Sequence, residues 1–358
     1  MENSISWQAR MTVGMDLGDR WSHYAVMDEA GVVVEEGRVA TRPAALRQRF
    51  GAMAPARVVI EAGALSGWVG RLLGELGHEL VVANPRRVAL VSGSVDKSDG
   101  VDARTLTRLG RADVELLFPV VPRSAQTLAD RQRLRAREAL VRCRTRLVNH
   151  VRSAVKGTGE RLPRCSTATF AKRARPMLPA EMRESLLPLV DEIASLTAAI
   201  RAFDRQLETL AQQRYPQTEL FHPVKGVGVH TALAFVLALE DPRRFASSRA
   251  VGSFLGLRPR RRQSGDRDPQ LRITKGGDEM ARRLLVTAAQ YILGPFGPDT
   301  DLRRFGLRLA ARGGKAAKKR AVVAVARKLA VLLHRLWVTG EAYEPLRNAT
   351  LTAEADAA

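Results

Sequence analysis

Three short stretches place carboxylates where they could do chemistry. Val13-Gly14-Met15-Asp16-Leu17-Gly18 and Val58-Val59-Ile60-Glu61-Ala62 each end an apolar run on an acid. Asp96-Lys97-Ser98-Asp99-Gly100-Val101-Asp102-Ala103 adds three more, with Asp99 and Asp102 three residues apart. On a helix that spacing puts both side chains on one face, with Cβ atoms about 5–6 Å apart, and like charges there repel by a few tenths of a kcal/mol. An unpaired carboxylate in an apolar setting costs more. A divalent cation would reverse the sign. Oxygen donors with no His or Cys close by in sequence suit Mg²⁺, or Mn²⁺, rather than zinc. Two such ions about 3.5–4 Å apart can clamp an in-line displacement at a phosphodiester. For Asp96 a helix-start acid, favoured by the macrodipole, is an equal reading.

A second constellation lies far along the chain. Leu257-Arg258-Pro259-Arg260-Arg261-Arg262-Gln263-Ser264-Gly265 sets four guanidinium groups within six residues of one serine. Arg258, Arg260, Arg261 and Arg262 could hold a phosphate, and Gly265 would let backbone approach it. Taken alone, the loop reads first as a solvated turn that contacts phosphate. Further phosphate contacts are expected from Lys225, in the helix-hairpin-helix-like turn Pro223 to Ala232, from Lys275, and from Lys318, Lys319 and Arg320 at a helix start.

The elements that must position these groups are legible in outline. Strands are expected at Met11–Asp16, Trp21–Met27 and Val32–Val39 as an antiparallel meander, then at Arg57–Ala62 and Glu79–Ala83, with helices at Pro43–Met53 and Leu65–Leu76. That is a mixed sheet with helical cover. Pro119 and Pro122 mark a boundary. From Ser124 to Lys156, Leu134, Val141, Val148 and Val155 recur every seven residues. Residues 157–175 read as a loop. Leu186, Leu189, Ile193, Leu196, Ile200, Phe203, Leu207 and Leu210 then form an a/d stripe. Two such helices imply either an intramolecular antiparallel hairpin or an oligomeric coiled coil, and an uncovered stripe would require a second copy. Later helices are expected at Thr231–Leu239, Glu279–Leu293 and residues 315–338. The domains expected are a loose arm (1–10), the mixed-sheet domain (11–122), a coiled-coil helical region (123–215), a mainly α-helical domain with the serine loop (216–345) and a disordered tail (346–358).

Composition narrows the partners. The 358 residues are 45% hydrophobic and carry a net charge of +21, with Arg supplying 49 of the 58 basic residues. Such a field attracts polyanions, nucleic acid first. Cys143 and Cys165 are too few for a disulfide framework or a structural zinc site, so a reduced, cytoplasmic setting is expected. Residues 1–10 lack the apolar core of a signal peptide. No run approaches the roughly 18–20 apolar residues of a membrane span.

Strand-Asp, strand-Glu and a final Asp-x-x-Asp resemble the RNase H-like, RuvC-like resolvase core. Over residues 11 to 340 the chain is similar to the DEDD transposases of the IS one-ten family of bacterial insertion sequences. Gly14-Met15-Asp16-Leu17-Gly18, Val59-Ile60-Glu61-Ala62 and Asp96 to Ala103 match its three acidic motifs. Gly252 to Pro259, Gln263-Ser264-Gly265 and Ile273-Thr274-Lys275-Gly276-Gly277 match its transposase domain, with Asp278 standing where Asn is commoner. The resemblance implies that Asp16, Glu61, Asp99 and Asp102 are metal ligands. It implies that Ser264 is a nucleophile forming a phosphoserine link to DNA, that a structured noncoding RNA guides the enzyme, and that it works as a homo-oligomer, a dimer or tetramer. Rival readings are a junction-resolvase nuclease that uses water, a sugar-kinase or actin-like ATPase, and a non-catalytic nucleic-acid-binding scaffold. For the ATPase, the second phosphate loop and Gly-rich adenosine motif are not found in order.

Overall fold

The computed structural model describes residues 11–86, 88, 99–265, 267–269 and 271–348, with Lys315 described by its backbone alone. Asp96, the expected arm and residues 349–358 lie outside the described residues. Of the expected tail, residues 346–348 pack back on the chain, where the Asn348 N–H donates to Asp301 Oδ2 at 2.9 Å. The chain divides into two compact units, Met1–Leu128 and Ala129–Ala358.

The first unit runs β1 (Thr12–Asp16), β2 (Trp21–Met27), β3 (Val33–Ala40), α1 (Pro43–Gly51), β4 (Arg57–Glu61), α2 (Ser66–Glu75), β5 (Glu79–Ala83) and α3 (Asp99–Ala112). The sheet order is β3-β2-β1-β4-β5. The first three strands form the antiparallel meander, and β4 and β5 join in parallel. This is an RNase H-like arrangement. Strand alternation divides the side chains between two faces. Val13, Met15, Val58 and Ile60 pack with Leu46 and Phe50 of α1 and Val69 and Leu73 of α2. Val59 and Val81 turn the other way, into a cluster with Leu106 of α3.

Two glycines let α3 lie close on that second face. A Cβ on Gly14 would sit 2.2 Å from the Ala103 carbonyl oxygen, and one on Gly110 would sit 2.3 Å from Val59 Cγ2. A buried hydrogen bond fixes the contact: the Gly14 N–H donates to Thr107 Oγ1 at 2.9 Å. Thr107 in turn donates to the Ala103 carbonyl within its own helix at 2.8 Å.

The second unit takes in α4 (Ala125–Gly157, whose first turn precedes the division), α5 (Phe170–Ala174), α6 (Arg183–Arg214), α7 (Val229–Leu239), α8 (Ser248–Phe254), α9 (Glu279–Leu293), α10 (Asp301–Ala310) and α11 (Gly314–Thr339). The long helices α4 and α6 form an antiparallel hairpin. Val148, Val151 and Val155 meet Leu186, Val190 and Ile193, and Leu162, Phe170 and Leu178 of the connecting segment close over them. Farther along, Arg137 Nε donates to Asp204 Oδ1 at 2.5 Å and Arg144 Nη1 to Thr197 Oγ1 at 3.3 Å. At the other end Leu134, Leu207 and Leu210 join one core with α7, α9 and α11. Leu186, Ile193, Leu196, Ile200, Leu207 and Leu210 are all buried within the chain. The intramolecular hairpin is therefore the observed alternative, and covering the stripe does not require a second copy. The expected loop at 157–175 also contains α5, because Phe170 and Ala174 have the hairpin core to bury against. Among the described residues no helix is long and apolar enough to cross a membrane.

Candidate active site

The acids converge by strand parity. Asp16 follows Gly14 by two residues on β1 and so shares its face, the one covered by α3. Glu61 follows Val59 by two on β4 and takes the same face. The parallel register Gly14↔Val59 and Met15↔Ile60 brings the strand ends that carry the two acids side by side. Helix α3 opens with Asp99 and Asp102 in its first turn. Docked through Gly14 and Thr107, it delivers these acids to the end of β1. Asp99 and Asp102 thus act on Asp16, and alternation alone assigns Glu61 to the same face of the neighbouring strand.

Their charges are felt at Asp16. Burial pushes its carboxyl above the ordinary carboxylate value, and Asp99 and Asp102 push in the same direction. His23 and a hydrogen bond from the Leu17 backbone only partly oppose them. Among the described residues, no set of three or more His, Cys, Asp or Glu side chains stands in a geometry that could hold a metal ion. The donor chemistry nonetheless fits a hard divalent cation: carboxylate oxygens whose mutual repulsion a cation would relieve.

One residue was missed. His23 lies directly across from Asp16 in the β1–β2 register, and its Nδ1 is 3.3 Å from Asp99 Oδ2. The expectation that no His stands near these acids holds along the chain and fails in space. The signal was available: pairing the meander about the turn at Gly18 sets Asp16 against His23.

Ser264 lies on an exposed ribbon of the second unit. Pro259 bridges Ile273 in antiparallel fashion, and the Arg260 N–H donates to the Arg272 carbonyl at 2.9 Å. Ser264 and Arg267 exchange both backbone bonds at 3.1 Å, so the ribbon turns back there, with Gly265 at φ +54°. Glycine tolerates that conformation without strain. The base of the ribbon is tight, since a Cβ on Gly277 would fall 1.9 Å from the Phe254 carbonyl oxygen. Ser264 and its neighbours Arg258 to Gln263 are exposed. Arg261 is engaged, with Gln263 Oε1 at 2.6 Å and Asp268 Oδ2 at 3.3 Å. Arg258, Arg260 and Arg262 make no ion pair with a described residue, which leaves them open to an anion.

The remaining predicted cations are also exposed. Lys225 stands in the turn before α7, where Gly226 adopts φ +92° against the backbone of α9. Lys275 takes the left-handed conformation at φ +55°, between the ribbon and α9. Lys318, Lys319 and Arg320 lie in the second turn of α11. Asp278 has a structural explanation. Its side chain caps α9 by accepting from the Ala281 N–H at 2.8 Å, and it pairs with the largely buried Arg131 of α4. A neutral Asn could serve the cap but would leave that guanidinium without its counter-charge.

An RNase H-like sheet with acids at the ends of β1 and β4 and in the first turn of α3, followed by a helical unit bearing a basic ribbon, fits the class of enzymes that act on nucleic-acid phosphodiesters. Comparison with known families narrows the class. Residues 13–159 match a DEDD transposase family model, and residues 218–300 match the model of the transposase IS116/IS110/IS902 family. The chain is 31% identical to a probable family 20 transposase of Pseudomonas aeruginosa, over 81% of this chain and 86% of that protein. It is 27% identical to the transposase for insertion sequence element IS1111A of Coxiella burnetii, over 92% and 90% respectively. It is 28% identical to the transposase for IS1328 of Yersinia enterocolitica, over 78% and 83%. The chain belongs to the IS110 family of DEDD transposases. Membership implies use of a divalent metal and action on DNA.

Proposed function

We propose that this transposase cuts and rejoins DNA with two groups of residues, the carboxylates Asp16, Glu61, Asp99 and Asp102 and the nucleophile Ser264. The observation that supports the reading is the charge of Asp99 and Asp102 at the end of β1, which with burial raises the Asp16 carboxyl; strand alternation assigns Glu61 of the neighbouring β4 to the same face. Mg²⁺, or Mn²⁺, is the cation these oxygens would hold. When bound it would neutralise the acids and supply Lewis acidity at the scissile phosphate.

The chain's own groups do the rest. Ser264 Oγ attacks the phosphorus, the bond from phosphorus to the 3′ oxygen breaks, and that oxygen leaves as a 3′-hydroxyl after taking a proton. The phosphoserine ester keeps the bond energy. A 3′-hydroxyl of the exchanged strand then attacks it, releasing serine and sealing DNA without ATP. Arg258, Arg260 and Arg262 hold the phosphate and offset its developing charge. Lys225, Lys275, Lys318, Lys319 and Arg320 track flanking phosphates. The three-part division at 11–122, 123–215 and 216–345 assigns the acids to the first part and Ser264 to the last. A noncoding guide RNA and a dimeric or tetrameric assembly complete the reading; the net charge of +21 suits a second polyanion beside the DNA.

The deciding experiment is denaturing electrophoresis of the enzyme incubated with labelled element-end DNA. Wild type gives a covalent protein–DNA band and Ser264→Ala gives none. Cleavage that persists in Ser264→Ala without any adduct would identify a water-using nuclease of the resolvase kind. Sequencing RNA that copurifies with the protein tests the guide: reads mapping to DNA flanking the gene support it, and their absence leaves a protein-only recombinase.

A further inference from the structure

A cleft of about 850 Å³ opens in the second unit between the base of the serine ribbon and helices α10 and α11. Its floor is apolar, built from Leu257, Ile273, Phe305, Leu309, Val323 and Val331. Its rim is cationic. Eight of the nineteen lining residues are Arg or Lys, and among the described residues none is Asp or Glu. Six of the eight (Arg249, Arg272, Lys275, Arg312, Lys319 and Arg327) have no ion-pair partner among the described residues. Lys328 lies over the Phe305 ring, 4.2 Å from its centroid.

This combination selects its occupant. Uncompensated cations at such density ask for a polyanion. A base-paired duplex would satisfy the rim and leave the floor in water, because its bases are stacked inside and its outer surface is phosphate. A single strand offers both chemistries at once, with flat apolar base faces and a phosphate at every nucleotide. The ribbon that forms one wall also carries Ser264. Ser264 follows Pro259 of the wall by five positions, a reach of at most about 16 Å at roughly 3.3 Å per residue.

We infer that the cleft holds an unpaired segment of the DNA strand next to the one Ser264 cuts, bases against the apolar floor and phosphates on the cationic rim. The choice of DNA rests on the reading of Ser264 as the DNA nucleophile. The cleft thereby keeps the strand open beside the cut.

The test is fluorescence anisotropy of the full-length protein with four labelled oligonucleotides of equal length: single-stranded DNA, the same strand made abasic, single-stranded RNA and a blunt DNA duplex. Wild type should bind single-stranded DNA at least tenfold more tightly than the abasic strand. Ala324→Glu, which sets a carboxylate among the lining residues, should erase the advantage over the abasic strand and leave duplex affinity within twofold. It should also weaken binding of the DNA strand more than of the RNA, which a guide-RNA site elsewhere also binds. Arg272→Ala together with Arg327→Ala at the rim should weaken single-strand binding at least fivefold. These substitutions keep the test valid if Ala324→Glu disturbs folding, which circular dichroism would reveal. Equal affinity for the normal and abasic strands, or a greater loss of RNA than of DNA binding in Ala324→Glu, would overturn the inference. Measuring the same series on Ser264→Ala separates the two ideas: loss of the covalent adduct with the base preference retained upholds the cleft independently of the nucleophile.

Discussion

Asp16 is held in a position that disfavours its own charge. Its folded carboxyl is raised by burial and by Asp99 and Asp102, so between its ordinary and its raised value the folded chain binds more protons than the unfolded one. Stability without metal therefore improves as pH falls through that window, and the charge is a burden at neutral pH. Asp16→Asn should raise the melting temperature in EDTA by about 1–2 °C at pH 7, from a few tenths of a kcal/mol per like-charged neighbour. Added Mg²⁺ should then stabilise wild type more than the variant in thermal-shift measurements, and a variant that melts lower in EDTA would contradict the account. His230 has the opposite sign. Burial pushes its imidazole below the usual value, with Arg137 adding to the effect, while Asp204 and Glu208 pull it up. His230 Nε2 is 3.0 Å from Asp204 Oδ1, and burial outweighs that pairing. The fold keeps His230 neutral while the unfolded chain takes a proton near pH 6.5, so stability is lost as pH drops below about 6.5. Urea titrations at pH 7.5 and 5.5 should show a smaller loss for His230→Gln than for wild type. At this scale Asp16 and Glu61 are legible in sequence because a carboxylate ending an apolar run is conspicuous. His23 is not, because its relation to Asp16 and Asp99 exists only through strand register.

Helix α3 is the element on which the acidic edge depends, and its docking rests on the absence of two side chains. Gly14→Ala would drive a methyl group into the Ala103 carbonyl and Thr107. Overpacking of this kind costs about 1–3 kcal/mol. The variant should lose that much stability in denaturant titrations and lose DNA cleavage more than tenfold, because Asp99 and Asp102 shift with the helix. Full cleavage with normal stability would show that α3 tolerates displacement. The hairpin of α4 and α6 depends instead on a filled seam. Ile193 is fully buried there, and Ile193→Ala should cost about 2–5 kcal/mol. Most elements of the first unit follow from its local pattern: alternation for the strands, Pro43 at the start of α1, and the apolar spacing of α2. α8 and α10 were not anticipated. α8 spans only seven residues, too short for a periodicity to show; α10 does carry a local signal, Thr300 at its N-terminus accepting from the Arg303 N–H at 3.1 Å.

The whole chain combines two facts that bear on assembly. Most of the long a/d stripe is buried in its own hairpin, so the stripe does not need a second copy, and each copy carries a net charge of +21. Free copies must therefore repel, most strongly at low ionic strength, where the Debye length grows to about 30 Å at 0.01 M. A polyanion reverses that balance by neutralising the cations of several copies at once. The periodicity alone left hairpin and oligomer open, because both bury the same stripe; only the partner segment, residues 148–155 with their connecting loop, decides between them. Oligomerisation of this transposase should accordingly depend on nucleic acid. In sedimentation velocity at about 50 mM salt, the nuclease-treated protein should run as a monomer, and adding element-end duplex should produce dimers or tetramers. Raising salt to about 0.5 M should dissolve the assembled species by weakening phosphate contacts. A stable oligomer of nucleic-acid-free protein at low salt would instead require an apolar interface strong enough to overcome the charge, and would place that interface outside the buried stripe.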